Sequence, residues 1–246
     1  MPSSSSPAAS RVRRRNRTLA ATAAGLTAVV AAVLALTLDD GPSGTASQDS
    51  ADTSTPDAQS SALLALARRD TDDPLAVGDA DAPVVMIEYS DFQCPYCGKF
   101  ARDTEPELIR SYVDEGVLRI EWRNFPIFGE ESEQAARAAW AAGQQGKFWE
   151  FHDQAYSKTG KKNTGAFSTD KLTAMAKAAG VADLDKWRAD LDSDAADTAI
   201  RRDQNEGYSL GVTSTPAFLV NDVPVLGAQP VGTFKQTIEA AAKAAR

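Results

Sequence analysis

The stretch VVMIEYSDFQCPYCGKF, residues 84–100, decides the fold of this chain. Its first six residues form a short and largely apolar run, which predicts a buried strand over residues 84–89. A turn follows, and Pro95 stands where a helix would begin, a position that suits proline. Both cysteines of the chain fall at this junction between strand and helix.

The residues that follow complete a β-α-β pattern. We expect the helix that begins at Pro95 to be kinked by Pro106, which has no N–H to donate, and to end at Gly116. Apolar and polar residues then alternate over residues 117–122, which predicts a second strand. Two strands joined by a helix in this way are expected to be parallel, with a right-handed crossover.

Helical periods replace the strand signals from residue 131 to about residue 208. The predicted helices span residues 132–145, 147–158, 168–179, 184–191 and 195–208. Strands return at residues 217–220 and 223–226 with a hairpin turn between them, and a last helix covers residues 231–244. The order therefore predicts an α/β fold interrupted by a helical insertion at about residues 131–208.

The N-terminal residues predict a membrane anchor. Residues 1–18 contain five arginines and no acid, and residues 19–38 form an uncharged run rich in Ala, Leu and Val. As a helix this run is about 30 Å long, which matches the hydrocarbon core of a bilayer. We predict a cytoplasmic tail, a single-pass signal-anchor and an extracytoplasmic C-terminal part in the cell membrane. A cleaved signal peptide, which would release a secreted protein, is the alternative.

The next segment separates this anchor from the folded part. Residues 39–61 contain no aromatic side chain and no aliphatic side chain larger than Ala. Such a segment cannot bury enough surface to offset its ordering entropy, so we predict a flexible, disordered linker. A short helical pattern follows at residues 61–69, and the folded domain is expected over residues 62–246.

Composition excludes several functions. A formal net charge of −8 argues against nucleic acid as the main partner. Two cysteines and one histidine are too few for a four-ligand structural zinc site unless carboxylates contribute. A Ser-His-Asp enzyme would have to use His152. Because His152 shares a helical face with Phe148, Phe151 and Tyr156, we expect a hydrogen-bonded core residue instead.

The first candidate site is the motif Cys94-Pro95-Tyr96-Cys97. A thiolate at a helix N-terminus is stabilised by the helix dipole and by free backbone N–H groups, so its pKa falls. Two intervening residues bring the second sulfur within bonding distance, and the pair can cycle between dithiol and disulfide. A static disulfide and half of a metal site are the alternatives, although a disulfide that closes so short a loop removes little chain entropy.

The second candidate site is Ser214-Thr215-Pro216, where a proline immediately precedes a strand. Bonds to proline are the ones that adopt cis at modest cost, and a cis bond here would expose the backbone of Thr215 beside the cysteines. An ordinary trans proline at the start of a strand fits these residues equally well.

Three motifs together carry a family resemblance: EYSDFQCPYC at residues 88–97, GKFWEFHD at 146–153 and GVTSTPAFLVN at 211–221. Over residues 83–244 the chain resembles the DsbA-type, thioredoxin-fold thiol:disulfide oxidoreductases, in particular the membrane-anchored, extracytoplasmic, BdbD-like members. The resemblance implies a thioredoxin-like fold with an inserted helical subdomain. It also implies that no cofactor is needed.

The resemblance further implies roles for single residues. Cys94 would be the exposed nucleophile and Cys97 the buried resolving thiol, with a cis bond before Pro216. Glu88, on the apolar strand, would be a buried carboxylate that exchanges a proton with Cys97, the alternative being an acid that reaches solvent at the strand end. The residues expected to contact substrate are Pro95, Tyr96, Thr215 and Pro216.

The implied activity is the introduction of disulfides into exported proteins with free thiols, with a membrane-bound partner that reoxidises the enzyme. DsbA itself carries Pro-His between its cysteines, whereas this chain carries Pro-Tyr. Because this dipeptide tunes the reduction potential, a reductase or isomerase remains an alternative. A redox sensor or a chaperone-like binding domain is the alternative outside enzymes.

Overall fold

The computed structural model describes residues 55–157 and 161–245. Within these ranges, five strands form one mixed sheet in the order β1-β3-β2-β4-β5. The strands are β1 (Ala76–Val77), β2 (Val84–Ser90), β3 (Leu118–Asn124), β4 (Ala217–Val220) and β5 (Val223–Leu226). β2 and β3 are parallel, and the other neighbouring pairs are antiparallel. The predicted β-α-β unit is therefore confirmed, with β2 at the centre of the sheet.

The helices follow the predicted order. They are α1 (Thr55–Leu64), α2 (Pro95–Asp103), α3 (Glu105–Leu108), α4 (Glu130–Gly143), α5 (Phe148–Tyr156), α6 (Thr169–Ala178), α7 (Leu184–Leu191), α8 (Asp194–Ser209) and α9 (Val231–Ala244). Helices α4 to α8 lie between β3 and β4 and confirm the helical insertion. Glycine and helix-capping signals place their ends close to the predicted ones.

Pro106 separates two helices instead of bending one. α2 ends just before Thr104, whose φ of −115° departs from helical geometry. α3 begins at Glu105, so Pro106, with no N–H to donate, lies in its first turn. A π-helical turn, Ile109–Val113, follows, and Gly116 ends the segment with a φ of 69°, a conformation that favours glycine.

The helix α1 corrects the predicted linker. Residues 55–61 are helical, although they were expected to belong to the flexible linker over residues 39–61. The helix predicted at residues 61–69 begins earlier and ends at Leu64. Leu63 packs against buried side chains of β2 and β4, a tertiary contact that the composition of the linker does not reveal.

The strand β1 has no counterpart among the predicted elements. It pairs with β3 at the edge of the sheet, where Ala76 lies opposite Glu121. The backbone N–H of Trp122 donates to the carbonyl of Leu75 at 3.0 Å. Two residues are too few to show the alternation from which a strand is predicted.

The strand β2 is buried on both faces, as its apolar sequence predicts. Met86 packs against side chains of α2 and α9, and alternation places Glu88 on the same face. Ile87 lies on the opposite face and pairs with Glu121 of β3, as Tyr89 pairs with Arg123. The strand pair β2–β3 therefore buries Glu88 on one face and Glu121 and Arg123 on the other.

On the face of the sheet that carries Ile87, Glu121 and Arg123, a network of ion pairs connects the helical insertion to β3. The guanidinium of Arg123 lies 2.9 Å from Glu121 and 2.8 Å from Glu206 of α8. Arg68 reaches Asp203 of the same helix at 2.6 Å, and its backbone N–H donates to Glu121 at 3.0 Å. Each of these buried or half-buried charges therefore has an opposite charge beside it.

The predicted tail at 1–18, the predicted signal-anchor at 19–38 and residues 39–54 of the predicted linker lie outside the described residues. Over 55–157 and 161–245, the structure contains no helix with the length and apolar character needed to cross a membrane. The anchor therefore stays a prediction.

Candidate active site

The first cysteine lies at the N-terminus of α2. Cys94 is the N-cap residue, and Pro95 is the first residue of the helix. The backbone N–H of Cys94 donates to the carbonyl of Asp91 at 2.9 Å, which closes the turn after β2. On its other side, Cys94 Sγ lies 3.2 Å from the carbonyl oxygen of Thr215, to which the thiol donates when it is protonated. The structure thus brings the two sequence-predicted sites together, although 121 residues separate them along the chain.

The two cysteines are free thiols here, and their pKa values shift in opposite directions. A hydrogen bond from the Cys97 thiol is the largest cause that lowers the pKa of Cys94 to about 6, helped by the Thr215 side chain and by the backbone N–H groups of Cys97 and Tyr96. Burial, followed by the neighbouring Cys94, raises the pKa of Cys97 well above its usual value. At neutral pH, Cys94 is therefore a thiolate and Cys97 keeps its proton.

Cys94 is less exposed than the family resemblance implies. Its exposed fraction is 4%, against 0% for Cys97, because Thr215 and neighbouring side chains cover it. Cys94 instead borders a cavity of about 570 Å³ between α2, α5 and α6. Side chains that line this cavity near Cys94 include those of Phe92, Tyr156, Phe167 and Met175.

The residues predicted to contact substrate surround Cys94. The Thr215–Pro216 peptide bond is cis. Both Thr215 and Pro216 are buried, whereas Tyr96 is 63% exposed next to the thiol. The structure brings these residues and Pro95 together at the N-terminus of α2, and their contact with substrate stays a prediction.

Glu88 is buried beneath the cysteines, with an exposed fraction of 1%. The alternative in which it reaches solvent at the strand end is therefore wrong. Ser90 Oγ donates to Glu88 Oε1 at 2.5 Å, and Glu88 Oε2 has no hydrogen-bond partner. Burial raises the pKa of Glu88 to about 8, so the carboxyl group is protonated at neutral pH.

Ser90 links Glu88 to the cysteines and was not predicted as a site residue. Its hydroxyl donates to Glu88, and its side chain is also close enough to Cys97 to lower the pKa of that thiol. The sequence contains a signal for this role. Ser90 follows Glu88 by two residues on the same strand, and residues two apart on a strand share a face.

Asp91 shapes the loop that precedes the cysteines and was also not singled out. Its carboxylate accepts from the backbone N–H groups of Gln93 and Ile127 and from the hydroxyl of Ser132, each at 2.7 Å. The hydroxyl of Tyr156 donates to its carbonyl at 2.9 Å. Three of these partners are distant in sequence, so only the folded chain reveals this role.

His152 is buried, as predicted, but one of its ring nitrogens lacks a hydrogen bond. Nδ1 lies 3.2 Å from Asp153 Oδ1, whereas Nε2 is unpaired, with Glu105 Oε2 3.7 Å away. Burial lowers the pKa of His152, which keeps the ring neutral. Among residues 55–157 and 161–245, no three His, Cys, Asp or Glu side chains are arranged to hold a metal ion.

Comparison with known proteins agrees with this geometry. Residues 70–240 match the thioredoxin family. The probable disulfide bond formation protein D of Bacillus anthracis is 31% identical over 150 residues, which cover 59% of this chain and 69% of that relative.

Solved structures share the fold. Oxidised BdbD from Bacillus subtilis superposes with a TM-score of 0.64 at 24% identity, covering 69% of this chain and 92% of that chain. A thioredoxin-like oxidoreductase from Silicibacter pomeroyi DSS-3 gives a TM-score of 0.61 at 29% identity, covering 74% and 96%. The chain therefore belongs to the thioredoxin family and, within it, to the DsbA-type thiol:disulfide oxidoreductases.

Proposed function

We propose that this oxidoreductase works as an oxidase that donates a Cys94–Cys97 disulfide to exported proteins with free thiols. The observation that carries the proposal is the opposite pKa shift of the two cysteines. A stable Cys94 thiolate favours the reduced enzyme over its disulfide, and a disulfide that is easily reduced is a strong oxidant. The names of the relatives called disulfide bond formation protein D support the same direction.

In the proposed reaction, a substrate thiolate attacks Cys94 Sγ and the Cys94–Cys97 bond breaks. Cys97 leaves as a thiolate and takes up one proton, while Cys94 is held in a mixed disulfide. A second substrate thiolate attacks the substrate sulfur of that bond, and Cys94 leaves as a thiolate. Two electrons pass from the substrate to the enzyme, and one substrate disulfide is formed.

The other predicted site residues serve this reaction. Glu88 supplies the proton to Cys97, and the position of Ser90, which donates to Glu88 and lowers the pKa of Cys97, supports this role. The exposed ring of Tyr96 and the backbone of Thr215 beside Cys94 offer a surface for an extended peptide, together with Pro95 and Pro216.

The experiment that tests the direction is a redox titration of the full chain against glutathione, combined with oxidation of a reduced, unfolded protein. We expect a potential closer to that of DsbA, about −120 mV, than to that of thioredoxin, about −270 mV. A potential near that of thioredoxin would favour a reductase. Absence of turnover in both directions would favour a redox sensor or a binding domain.

The roles of the two cysteines are tested by trapping. Cys97→Ser should accumulate mixed disulfides with a disulfide-containing substrate, because the Cys94 thiolate attacks the substrate disulfide, one substrate sulfur leaves as a thiolate, and no Cys97 thiol is present to release Cys94 from the other. Cys94→Ser should accumulate none. Equal trapping by both variants would overturn the assignment of Cys94 as the nucleophile.

We also propose that the enzyme is anchored in the cell membrane by residues 19–38, with its catalytic domain outside, and is reoxidised by a membrane-bound partner. The five arginines before this apolar run support the orientation. Protease added to intact protoplasts should digest the domain. A shortened mature form in the culture medium would instead show cleavage and secretion.

A further inference from the structure

The buried carboxyl group of Glu88 has no direct contact with solvent. Once it has given its proton to Cys97, it holds a negative charge in the core. Because burial raises the pKa of Cys97 above that of Glu88, the transferred proton stays on Cys97, and the buried Glu88 carboxylate must regain a proton from elsewhere. A complete cycle therefore needs a second proton donor that contacts the core.

A second buried acid lies in the same region. Glu105, the first residue of α3, is 2% exposed, and its Oε1 atom has no hydrogen-bond partner. Its other oxygen lies 3.7 Å from His152 Nε2. Burial, and then the charge of Glu88, raises the pKa of Glu105 well above its usual value, so this acid also carries a proton at neutral pH.

Unpaired polar atoms are concentrated in this group of side chains. Among the described residues, the buried side-chain atoms without a partner are Glu88 Oε2, Glu105 Oε1, His152 Nε2 and Thr215 Oγ1. Buried polar atoms are paired in the large majority of cases, so three unpaired atoms in one region need an explanation. No lysine or arginine forms an ion pair with Glu88 or Glu105 in the described part of the chain.

This set of buried side chains reaches solvent at Asp153. His152 Nδ1 lies 3.2 Å from the carboxylate of Asp153, whose side chain is 76% exposed. The ionisable groups that face this region from the surrounding elements are Glu88 of β2, Cys97 of α2, Glu105 of α3, and Asp153 and Tyr156 of α5.

We propose that Glu105 and His152 form a proton relay that connects Glu88, and through it Cys97, to solvent at Asp153. The proposal rests on the proposed disulfide exchange. When Cys97 leaves as a thiolate, it takes the Glu88 proton, Glu88 takes the Glu105 proton, Glu105 takes the Nε2 proton of the neutral His152 ring, and Nδ1 takes up a proton from solvent at Asp153. One proton enters from solvent for each Cys97 thiol formed, the ring changes from the Nε2–H to the Nδ1–H tautomer, and reoxidation of the cysteines reverses each transfer.

The 3.7 Å between Glu105 and His152 is longer than a hydrogen bond, so the carboxyl group must rotate towards the ring for each transfer. Its unpaired oxygen leaves this rotation free of competing hydrogen bonds. A group held only for packing would need no such freedom.

The test compares Glu105→Gln with Glu107→Gln in the full chain. Both changes remove one acid from α3, but Glu107 lies at the surface, paired with Lys235. We expect Glu105→Gln to slow oxidation of a reduced model peptide about tenfold at neutral pH, below the 10²–10⁴ of a direct general acid. The slowed reaction should show a larger solvent deuterium isotope effect, and Glu107→Gln should match the wild type.

A Glu105→Gln enzyme with the rate and isotope effect of the wild type would overturn the relay while leaving the proposed function intact. A wild type without exchange would overturn the proposed function itself. Where the variant fails to fold, the ¹⁵N shift of His152 Nε2 in the wild type decides. It should differ between the oxidised and reduced proteins, and an identical shift contradicts the relay.

Discussion

The two faces of the β2–β3 strand pair bury polar groups in opposite ways. On one face, Glu121 and Arg123 form ion pairs with each other and with charges on either side. On the other face, Glu88 keeps an oxygen with no partner, in the same region as the unpaired Glu105 and His152. Paired charges hold the fold, whereas unpaired groups remain free to exchange protons.

The pKa values of the two acids express this difference. Burial alone would raise the pKa of Glu121, but hydrogen bonds from the backbone of Arg68 and Arg69 and the charge of Arg123 hold it below its usual value. Glu88 has one hydrogen bond, from Ser90, and burial raises its pKa to about 8. Neighbouring strands therefore hold one carboxylate ionised and the other protonated.

Breaking the paired face should have the largest effect on stability. Arg123→Met removes the buried arginine that Glu121 and Glu206 share, although Arg119 and Arg68 still contact them, and we expect the free energy of unfolding to fall by about 3 kcal/mol in urea titrations. Arg201→Met, which removes an exposed arginine from α8, is the control and should leave the free energy of unfolding nearly unchanged. Equal losses in the two variants would contradict the role of the network.

Removing the acid of the unpaired face should change how stability depends on pH. Because the pKa of Glu88 is raised from 4.5 to about 8, the folded protein binds its proton more tightly than the unfolded chain does. The resulting stabilisation is complete at low pH and is lost as pH rises through this window, at most about 1.4 kcal/mol per pH unit. Glu88→Gln should flatten the dependence in denaturant titrations, and an unchanged slope would show that Glu88 is ionised.

The pKa of Cys94 gives a further test of how a hydrogen-bond partner changes the ionisation of a buried group. In the reduced protein, the alkylation rate of Cys94 should reach half of its maximum near pH 6, because only the thiolate reacts. Cys97→Ala removes the hydrogen bond that most lowers the Cys94 pKa, so its midpoint should move to higher pH. If the midpoint stays in place, the Thr215 side chain and the backbone N–H groups of the helix N-terminus set the reactivity of Cys94 without Cys97.

The smallest effect concerns the unpaired hydroxyl of Thr215. Thr215→Val replaces this buried group with a methyl group and should raise the free energy of unfolding by about 1 kcal/mol. The alkylation midpoint of Cys94 should move slightly to higher pH, because the Thr215 side chain is one of the groups that lower the pKa of Cys94. Thr213→Val, at an exposed position, serves as the control, and a loss of stability at Thr215 would reveal a hydrogen bond to its hydroxyl.

Local patterns in the sequence were enough to predict the strand-turn-helix that holds the cysteines, the parallel partner strand and the helical insertion. They were enough because apolar periods, Pro95 at a helix start and glycines at helix ends act over a few residues. The same patterns failed for the two-residue strand β1 and for α1, whose position depends on contacts with β2 and β4.

Only the tertiary structure decided which buried polar groups meet. Glu105 follows Glu88 by 17 residues and precedes His152 by 47, in segments whose local patterns predict ordinary helices. Nothing in those patterns distinguishes a paired acid from an unpaired one, because a pairing depends on which side chains the packed helices bring together. The same holds for Cys94 and the Thr215 carbonyl, since distant chain segments meet only when the sheet is complete.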